Sequence, residues 1–136
     1  MKPQYLLDTD AFSLMVKGQD AAINTRLQTL AKGEAILSVI TAGEFYYGVA
    51  HAPISALRDQ RAQRLLDFFG VMALDPHVAV HYGELRADLR RAGTPIGPND
   101  LWLAAQAMAH DMVLVTRNAR EFARVGKLKI ADWSQP

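Results

Sequence analysis

Short apolar runs separated by amphipathic segments make up the pattern of hydrophobic and polar positions along the chain. Each run is aliphatic or β-branched and is bounded by polar or turn residues, which is typical of a buried strand. Five such runs predict strands, at residues 4–8, 35–39, 71–74, 112–116 and 128–131.

Apolar residues in the intervening segments recur with the period of an α-helix. These segments predict six helices, at residues 10–17, 20–32, 41–51, 55–69, 77–92 and 98–110. Gly33 is expected to close the second helix, and His51-Ala52-Pro53 to separate the third helix from the fourth. Because strands alternate with helices, we expect parallel pairing with right-handed crossovers. The pattern predicts an α/β fold, a three-layer α/β/α sandwich around a mainly parallel five-stranded sheet.

The third and fourth predicted helices form a helical hairpin between the second and third strands. This hairpin carries more apolar residues than one face of a sheet obviously requires. They are Phe45, Val49, Leu57, Leu65, Phe68 and Phe69. Two interpretations remain open, packing into the core and a contact between two copies of the chain, and the homodimer is our hypothesis.

Length and composition fit a single domain over residues 1–136, because half of the residues are apolar and can form an ordinary core. The sequence contains no cysteine. Disulfides, zinc–thiolate sites and thiol nucleophiles are therefore excluded, and a reducing cytoplasm is the expected location. The chain also lacks a run of about 18 apolar residues, so we expect a soluble protein with no membrane contact.

The formal net charge of +1 gives no basis for a general affinity for nucleic acid. The positive charges are nevertheless clustered. The clusters are Arg58, Arg61 and Arg64; Arg86, Arg90 and Arg91; and Arg117, Arg120, Arg124, Lys127 and Lys129. We interpret the first two as solvated helix faces with ion pairs. The third surrounds Glu121 and is interpreted as functional.

Four acidic residues are expected at one edge of the sheet. Asp8 directly follows the first strand, and Glu44, Asp100 and Glu121 lie near the starts of helices at the same edge. Ligands of open α/β sheets bind outside the carboxyl ends of the strands. Two carboxylates about 4 Å apart repel by roughly 4 kcal/mol at an effective dielectric constant near 20, so such a group requires a counter-charge. Magnesium and manganese prefer oxygen ligands, and a metal site is predicted with Asp8 and Asp100 as direct ligands.

Each carboxylate also has a purely structural interpretation. Glu44 follows Thr41 at the spacing of a capping box, and Glu121 follows Asn118 in the same way. The other two carboxylates could cap a helix or complement its dipole. Four independent caps, however, give no reason for all four residues to share one edge of the sheet.

Five strings occur in order along nearly the whole chain. They are Leu-Asp-Thr at 7–9, Ser-Val-Ile-Thr-Ala-Gly-Glu at 38–44, Pro-Ile-Gly-Pro-Asn-Asp at 95–100, Leu-Val-Thr-Arg-Asn-Ala-Arg-Glu-Phe at 114–122 and Leu-Lys-Ile-Ala-Asp-Trp at 128–133. This ordered set resembles a PIN-domain nuclease, and specifically the VapC toxins of type II toxin–antitoxin systems.

The resemblance implies a magnesium-dependent endoribonuclease, with Mn²⁺ able to substitute, that is inhibited by a cognate VapB-type antitoxin. On this mapping Asp8 and Asp100 bind the metal, Glu44 completes an acidic triad and Glu121 takes the fourth acidic position. A bound cation lowers the pKa of the attacking water and neutralises charge on the phosphoryl group. Either Glu44 or Glu121 is expected to orient or deprotonate that water.

The polar residues near these carboxylates are expected to support the site. Thr9 and Asn118 match polar positions of the family beside it, whereas Arg117 stands where other members often carry a different polar residue. Arg120 and Arg124 are expected, with Arg117, to contact RNA phosphates. The resemblance favours transfer RNA, with the initiator-tRNA anticodon stem-loop as our first hypothesis.

The expected partners follow from the same resemblance. An arginine of the antitoxin is expected near Asp8 and Asp100, because a guanidinium group pairs bidentately with carboxylates. Operator DNA is expected to be bound only through the antitoxin. The alternative is a non-catalytic module of the same fold that acts through antitoxin and repressor assembly, and RNA cleavage with and without magnesium discriminates between the two.

Overall fold

The computed structural model describes residues 2–52 and 55–134. Its strands are β1 (Tyr5–Leu7), β2 (Ala35–Ser38), β3 (Val71–Met72), β4 (Val113–Val115) and β5 (Ile130–Ala131). They form one sheet in the order β3-β2-β1-β4-β5, and every pair is parallel. The predicted parallel sheet is confirmed, although each apolar run extends one or two residues beyond its strand, at one end or at both.

The helices are α1 (Thr9–Lys17), α2 (Ala21–Thr29), α3 (Val39–His51), α4 (Ala56–Phe69), α5 (Pro76–Ala92), α6 (Pro98–Ala109) and α7 (Ala119–Phe122). The six predicted helices are confirmed, and the short α7 is additional. Within the described ranges, no helix is both long enough and apolar enough to cross a lipid bilayer.

Consecutive residues of the central strand β1 support two separate hydrophobic cores, because side chains of a strand alternate between the faces of a sheet. Leu7 packs with side chains of α1, α2 and α4 on one face. Leu6 packs with side chains of α5, α6 and α7 on the other. Both leucines are 0% exposed. The three-layer α/β/α sandwich is therefore confirmed.

The end of α2 differs from the prediction. The helix ends at Thr29, and Leu30 already has an extended backbone, with φ −74° and ψ 131°. Leu30 is buried in the core that contains Leu7. Burial of its side chain stabilises the extended backbone at this position, and the helix ends before it. Gly33 lies in the turn before β2 with φ +90°, a conformation that favours glycine. The prediction that Gly33 closes the helix was wrong.

The start of α3 corrects the capping-box interpretation. Ser38 is the N-cap, and its Oγ accepts a hydrogen bond from the backbone N–H of Ile40 at 3.1 Å. Thr41 is buried inside the helix. Glu44 therefore lies in the second helical turn and has no capping role. The helix ends at His51 as predicted, while Pro53 lies outside the described residues.

Most apolar residues of the predicted hairpin belong to the core. Four of the six pack against the cluster around Leu7 or lie within it: Phe45, Leu65, Phe68 and Phe69. Leu57, by contrast, is 76% exposed. Core packing thus explains most of the apolar surface, and a homodimer stays a prediction that light scattering tests.

Replacement of Leu6 by alanine is expected to destabilise the protein by about 2–5 kcal/mol, because it leaves a cavity in a core that cannot fully collapse. The matched control is Leu57→Ala, since the same change at an exposed site is expected to cost less than about 0.5 kcal/mol. Urea unfolding monitored by circular dichroism measures both free energies. Equal losses would contradict the assignment of Leu6 to the second core.

Candidate functional site

A cleft of about 570 Å³ opens at the carboxyl edge of the sheet, where β1 and β4 end and α1 and α6 begin. It is lined by Asp8, Thr9, Asp10, Ser13, Glu44, Asp100, Arg117, Asn118 and Phe122. Three of the four predicted carboxylates therefore lie in one cleft. The fourth, Glu121, accepts a hydrogen bond from Asn118 and so borders the same cleft.

Asp8 is held in place by the start of α1. It is the N-cap of that helix, and its Oδ1 accepts a hydrogen bond from the backbone N–H of Ala11 at 2.7 Å. The cap interpretation is therefore correct, and the cap uses one of the two carboxylate oxygens. Asp8 is only 3% exposed. Burial raises its pKa to about 6, with smaller contributions in the same direction from Asp10 and Asp100, while Thr116 and the Ala11 amide oppose the rise.

Hydrogen bonds hold Glu44 between three helices. Its Oε1 accepts from Thr9 Oγ1 of α1 at 3.0 Å and from Asn99 Nδ2 of α6 at 3.4 Å. The hydroxyl of Thr9 also lies 3.0 Å from that of Thr41 on α3. Because both contacts use Oε1, the carboxylate is fixed in position through one of its two oxygens.

Asp100 lies in the first turn of α6, which begins after Gly97 without a side-chain cap. Burial raises the pKa of Asp100, and the charges of Glu121, Glu44 and Asp10 add to the rise. The negative charges of these three neighbouring carboxylates therefore act on Asp100 together. Its position at a helix N-terminus gives partial compensation.

Glu121 is anchored through both carboxylate oxygens. Its Oε2 accepts from Asn118 Nδ2 at 2.6 Å, and its Oε1 accepts from the backbone N–H of Gly97 at 3.3 Å. Asn118 begins α7 but makes no side-chain cap, so the proposed cap-like role is replaced by a bond between the two side chains. The backbone N–H of Asn118 donates to Thr116 Oγ1 at 2.9 Å, which ties the loop to the end of β4.

An ion pair between Asp10 and Arg117 closes one side of the cleft. Arg117 donates from Nε to Oδ2 of Asp10 and from Nη2 to Oδ1, both at 3.1 Å. This bidentate contact joins residues 107 positions apart. Arg117 thus compensates one of the negative charges in the cleft, and it does not present an unpaired guanidinium group as the sequence suggested.

The rest of the third basic cluster lies along the rim. Arg120 and Arg124 are exposed, and Arg124 donates to the backbone carbonyl of Pro95 at 3.0 Å. Lys129 instead pairs with Asp111 at 3.1 Å. Only part of this cluster is therefore available to a negatively charged ligand.

Three polar residues of the site were not predicted from the sequence: Asp10, Ser13 and Asn99. Ser13 follows Thr9 at a spacing of four, which places both on one face of α1, so helical periodicity could have found it. Asn99 directly precedes Asp100 in the Pro-Ile-Gly-Pro-Asn-Asp string, and its contact with Glu44 on α3 depends on the tertiary fold. The role of Asp10 could not be predicted, because it depends on an ion pair with Arg117, which is distant in sequence.

The donors of the cleft are carboxylate, hydroxyl and amide oxygens, which fit a hard divalent cation such as Mg²⁺ or Mn²⁺. In residues 2–52 and 55–134, no three His, Asp or Glu side chains are close enough together to hold an ion between them. Magnesium commonly uses one or two carboxylates and keeps several waters. The arrangement fits this mode of binding, with Asp8 and Asp100 as the carboxylates.

A second groove of about 290 Å³ adjoins the cleft and shares Thr9, Ser13 and Glu44 with it. It lies between α1, α3 and α4, and Phe12 and Phe45 are among its apolar lining residues. The acidic cleft is therefore continuous with an apolar surface.

Comparison with known proteins agrees with this geometry. The family model described as "PIN domain" matches residues 5–128. A relative from Shigella flexneri named "tRNA(fMet)-specific endonuclease VapC" is 32% identical over 131 residues, which cover 96% of this chain and 98% of the relative. A relative from Haemophilus influenzae named "Ribonuclease VapC1" is 30% identical over 132 residues, with coverage of 96% and 98%.

A solved structure of VapBC-1 from nontypeable Haemophilus influenzae superposes with a TM-score of 0.84 at 29% identity, covering 96% of this chain and 98% of that one. PIN-domain nucleases generally depend on a divalent metal. The family match, the sequence identity and the superposition all extend over nearly the whole chain, and the chain therefore belongs to the PIN-domain family, among the relatives named VapC.

Proposed function

We propose that the protein is the toxin of a type II toxin–antitoxin system, an endoribonuclease that uses Mg²⁺ or Mn²⁺ to hydrolyse RNA phosphodiester bonds. The observation that carries this proposal is the convergence of Asp8, Glu44 and Asp100 in one cleft, with Glu121 at its border. The family relationship and the names of the relatives support it.

In this proposal Asp8 and Asp100 hold the cation. When bound, the cation would activate water and neutralise charge that develops on the phosphoryl group. Burial, together with neighbouring negative charges, raises the pKa values of both carboxylates, and a bound cation would compensate their charge.

We assign the handling of the attacking water to Glu44 and a positioning role to Glu121. Both oxygens of Glu121 accept hydrogen bonds, from Gly97 and Asn118. Glu44 uses only Oε1 in the hydrogen bonds of the described residues. Its Oε2 therefore has acceptor capacity for a water proton, as a general base requires.

Transfer RNA is the proposed substrate, with the initiator-tRNA anticodon stem-loop as the first candidate. The Shigella flexneri relative, 32% identical to this chain, is named as specific for tRNA(fMet). Exposed Arg120 and Arg124 on the rim supply positive charge for the RNA backbone.

The proposed partner is a cognate VapB-type antitoxin. Structural neighbours are described as VapBC complexes, and those from Rickettsia felis and Salmonella typhimurium contain DNA. We propose that an antitoxin arginine enters near Asp8 and Asp100 and that apolar residues of the same partner occupy the adjoining groove. Operator DNA would then be bound through the antitoxin.

Asp8→Asn and Asp100→Asn are each expected to lower cleavage of a tRNA pool by a factor of about 100 or more, because each removes a carboxylate that holds the cation. EDTA is expected to have the same effect on the unmodified protein. The measurement is separation of the RNA products by gel, with the ends mapped. Asp88→Asn on the exposed surface of α5 is the matched control and is expected to keep full activity.

Intact RNA with the folded, antitoxin-free protein in magnesium, across tRNA and other RNA pools, would favour the non-catalytic module. Cleavage that persists in EDTA and in both variants would contradict the metal site. The nuclease activity would then have to be assigned to another part of the surface.

Magnesium is expected to raise the Tm of the protein less at pH 5 than at pH 7.5, because a proton competes for Asp8, whose pKa is about 6 without metal. In EDTA the pH dependence has the opposite sign, and the metal-free protein itself is expected to be more stable at pH 5 than at pH 7.5. The folded state binds this proton more tightly than the unfolded chain, so stability from Asp8 increases as pH falls through 6, by on the order of 2 kcal/mol. Thermal melting at both pH values measures these effects.

Asp8→Asn is the control for that experiment, since asparagine is also a good N-cap and removes only the ionisation. Its Tm is expected to respond little to magnesium at either pH. An equal response in the variant and the unmodified protein would contradict a direct role of Asp8 in metal binding.

Arg120→Ala is expected to weaken RNA binding more at low salt than at high salt, since a phosphate contact releases counterions. Arg64→Ala on α4 is the matched control, because it removes the same charge from an exposed position on another helix. Fluorescence anisotropy at several salt concentrations measures the slopes. An equal loss of affinity at every salt concentration would rule out a phosphate contact by Arg120.

A further inference from the structure

A third groove, of about 380 Å³, lies between the C-terminal half of α5 and the loop that leads into α6. Its lining includes Tyr82, Arg86, Arg90, Pro95, Ile96 and Pro98. The same loop and the first turn of α6 border the acidic cleft, because Gly97 donates to Glu121 and Asn99 donates to Glu44. One short segment of chain thus separates this groove from the candidate active site.

Two arginines give the groove its positive charge. Arg86 and Arg90 lie four residues apart on α5, so they share one face of the helix. Arg86 donates from Nη1 to the hydroxyl of Tyr82 at 3.2 Å, which fixes the side chain and leaves its other N–H groups available. Neither arginine forms an ion pair with any residue in 2–52 or 55–134.

The neighbouring Arg91 behaves differently. Its guanidinium group pairs with Asp88, one helical turn away on α5. The second basic cluster therefore contains one compensated arginine and two uncompensated ones, and the two uncompensated side chains are those that line the groove. The interpretation of the whole cluster as an ion-paired helix face does not hold for Arg86 and Arg90.

Further groups extend the same surface. Arg124 lies outside the groove lining but donates to the carbonyl of Pro95, which places a third guanidinium group at the loop. The ring of Tyr82 stacks on that of Trp102, with 3.8 Å between centroids and 12° between planes. Arginines beside partly buried aromatic rings are typical of surfaces that bind single-stranded nucleic acid.

We propose that Arg86 and Arg90 form an accessory RNA groove that binds the backbone of the substrate beside the cleaved phosphodiester. This inference rests on the proposed nuclease function and extends it. The occupant is RNA because the two unpaired guanidinium groups complement phosphates and because the groove is separated from the acidic cleft only by residues 95–100. The groove accordingly contributes to the affinity for long RNA substrates and not to the affinity for short ones.

The test measures the affinity of RNA for protein that carries Asp100→Asn, so that binding is read without cleavage. In this background we compare Arg86→Gln, Arg90→Gln and the double variant with Arg91→Gln, which removes the same charge as each single variant from an adjacent position. The probes are a fluorescein-labelled anticodon stem-loop and a labelled trinucleotide.

The double variant is expected to weaken stem-loop binding about tenfold and to lower the salt slope by about two, one for each phosphate contact. Arg91→Gln is expected to stay within about twofold of the parent, and the trinucleotide to bind all variants alike. Arg86→Lys and Arg90→Lys are expected to restore most of the affinity. Thermal melting verifies that each variant is folded.

The proposal is overturned if Arg91→Gln weakens binding as much as the double variant, or if the trinucleotide is affected equally. It is also overturned if the variants alter the mass measured by light scattering while RNA affinity is unchanged, because the groove is then a protein contact. If the wild-type chain cleaves RNA but substitution of these arginines leaves RNA affinity unchanged, only the groove is refuted. Arginine-dependent binding by a wild-type chain that cleaves no RNA refutes the nuclease function alone.

Discussion

Burial of the Asp8 carboxylate at the end of the central strand is the constraint on which the candidate site depends. Leu6 and Leu7 hold β1 between two hydrophobic cores, so the residue that follows has little freedom to move into solvent. The amide of Ala11 satisfies one of its oxygens, yet the pKa remains well above that of an ordinary aspartate. A cation that compensates this charge removes part of the unfavourable free energy of burying the ionised carboxylate. Its affinity for the site is therefore increased.

The surrounding carboxylates are held by two sets of hydrogen bonds that meet at one loop. Thr9 and Asn99 hold Glu44, while Asn118 and Gly97 hold Glu121. The segment from 95 to 100 thus receives contacts from both sides of the cleft. Its position sets the geometry of the acidic cleft and also forms one wall of the basic groove. Movement of this loop would change both surfaces together.

Much of the fold could be predicted from local sequence, because strand runs and helical periodicity are strong where side chains are buried on a regular face. Helix ends were less predictable. Leu30 leaves α2 to enter the core, and Ser38 caps α3 in place of Thr41, and both outcomes depend on tertiary packing. In the candidate site, the strand-end position of Asp8 was visible from sequence. The pairing of Asp10 with Arg117 was not, because no local pattern connects residues 107 positions apart.

The double role of Asp8, as helix cap and proposed metal ligand, has a genetic consequence. Asparagine preserves the cap, and one base change converts an aspartate codon to an asparagine codon. Under the proposed function, this is a short mutational route to a harmless chain that still folds and still presents its cleft and apolar groove. Such a chain would lose one proposed antitoxin contact but keep Asp100 and the apolar groove, and through these it would continue to sequester antitoxin. An inactivated copy of the gene would then sensitise its host to any active toxin that shares the same antitoxin.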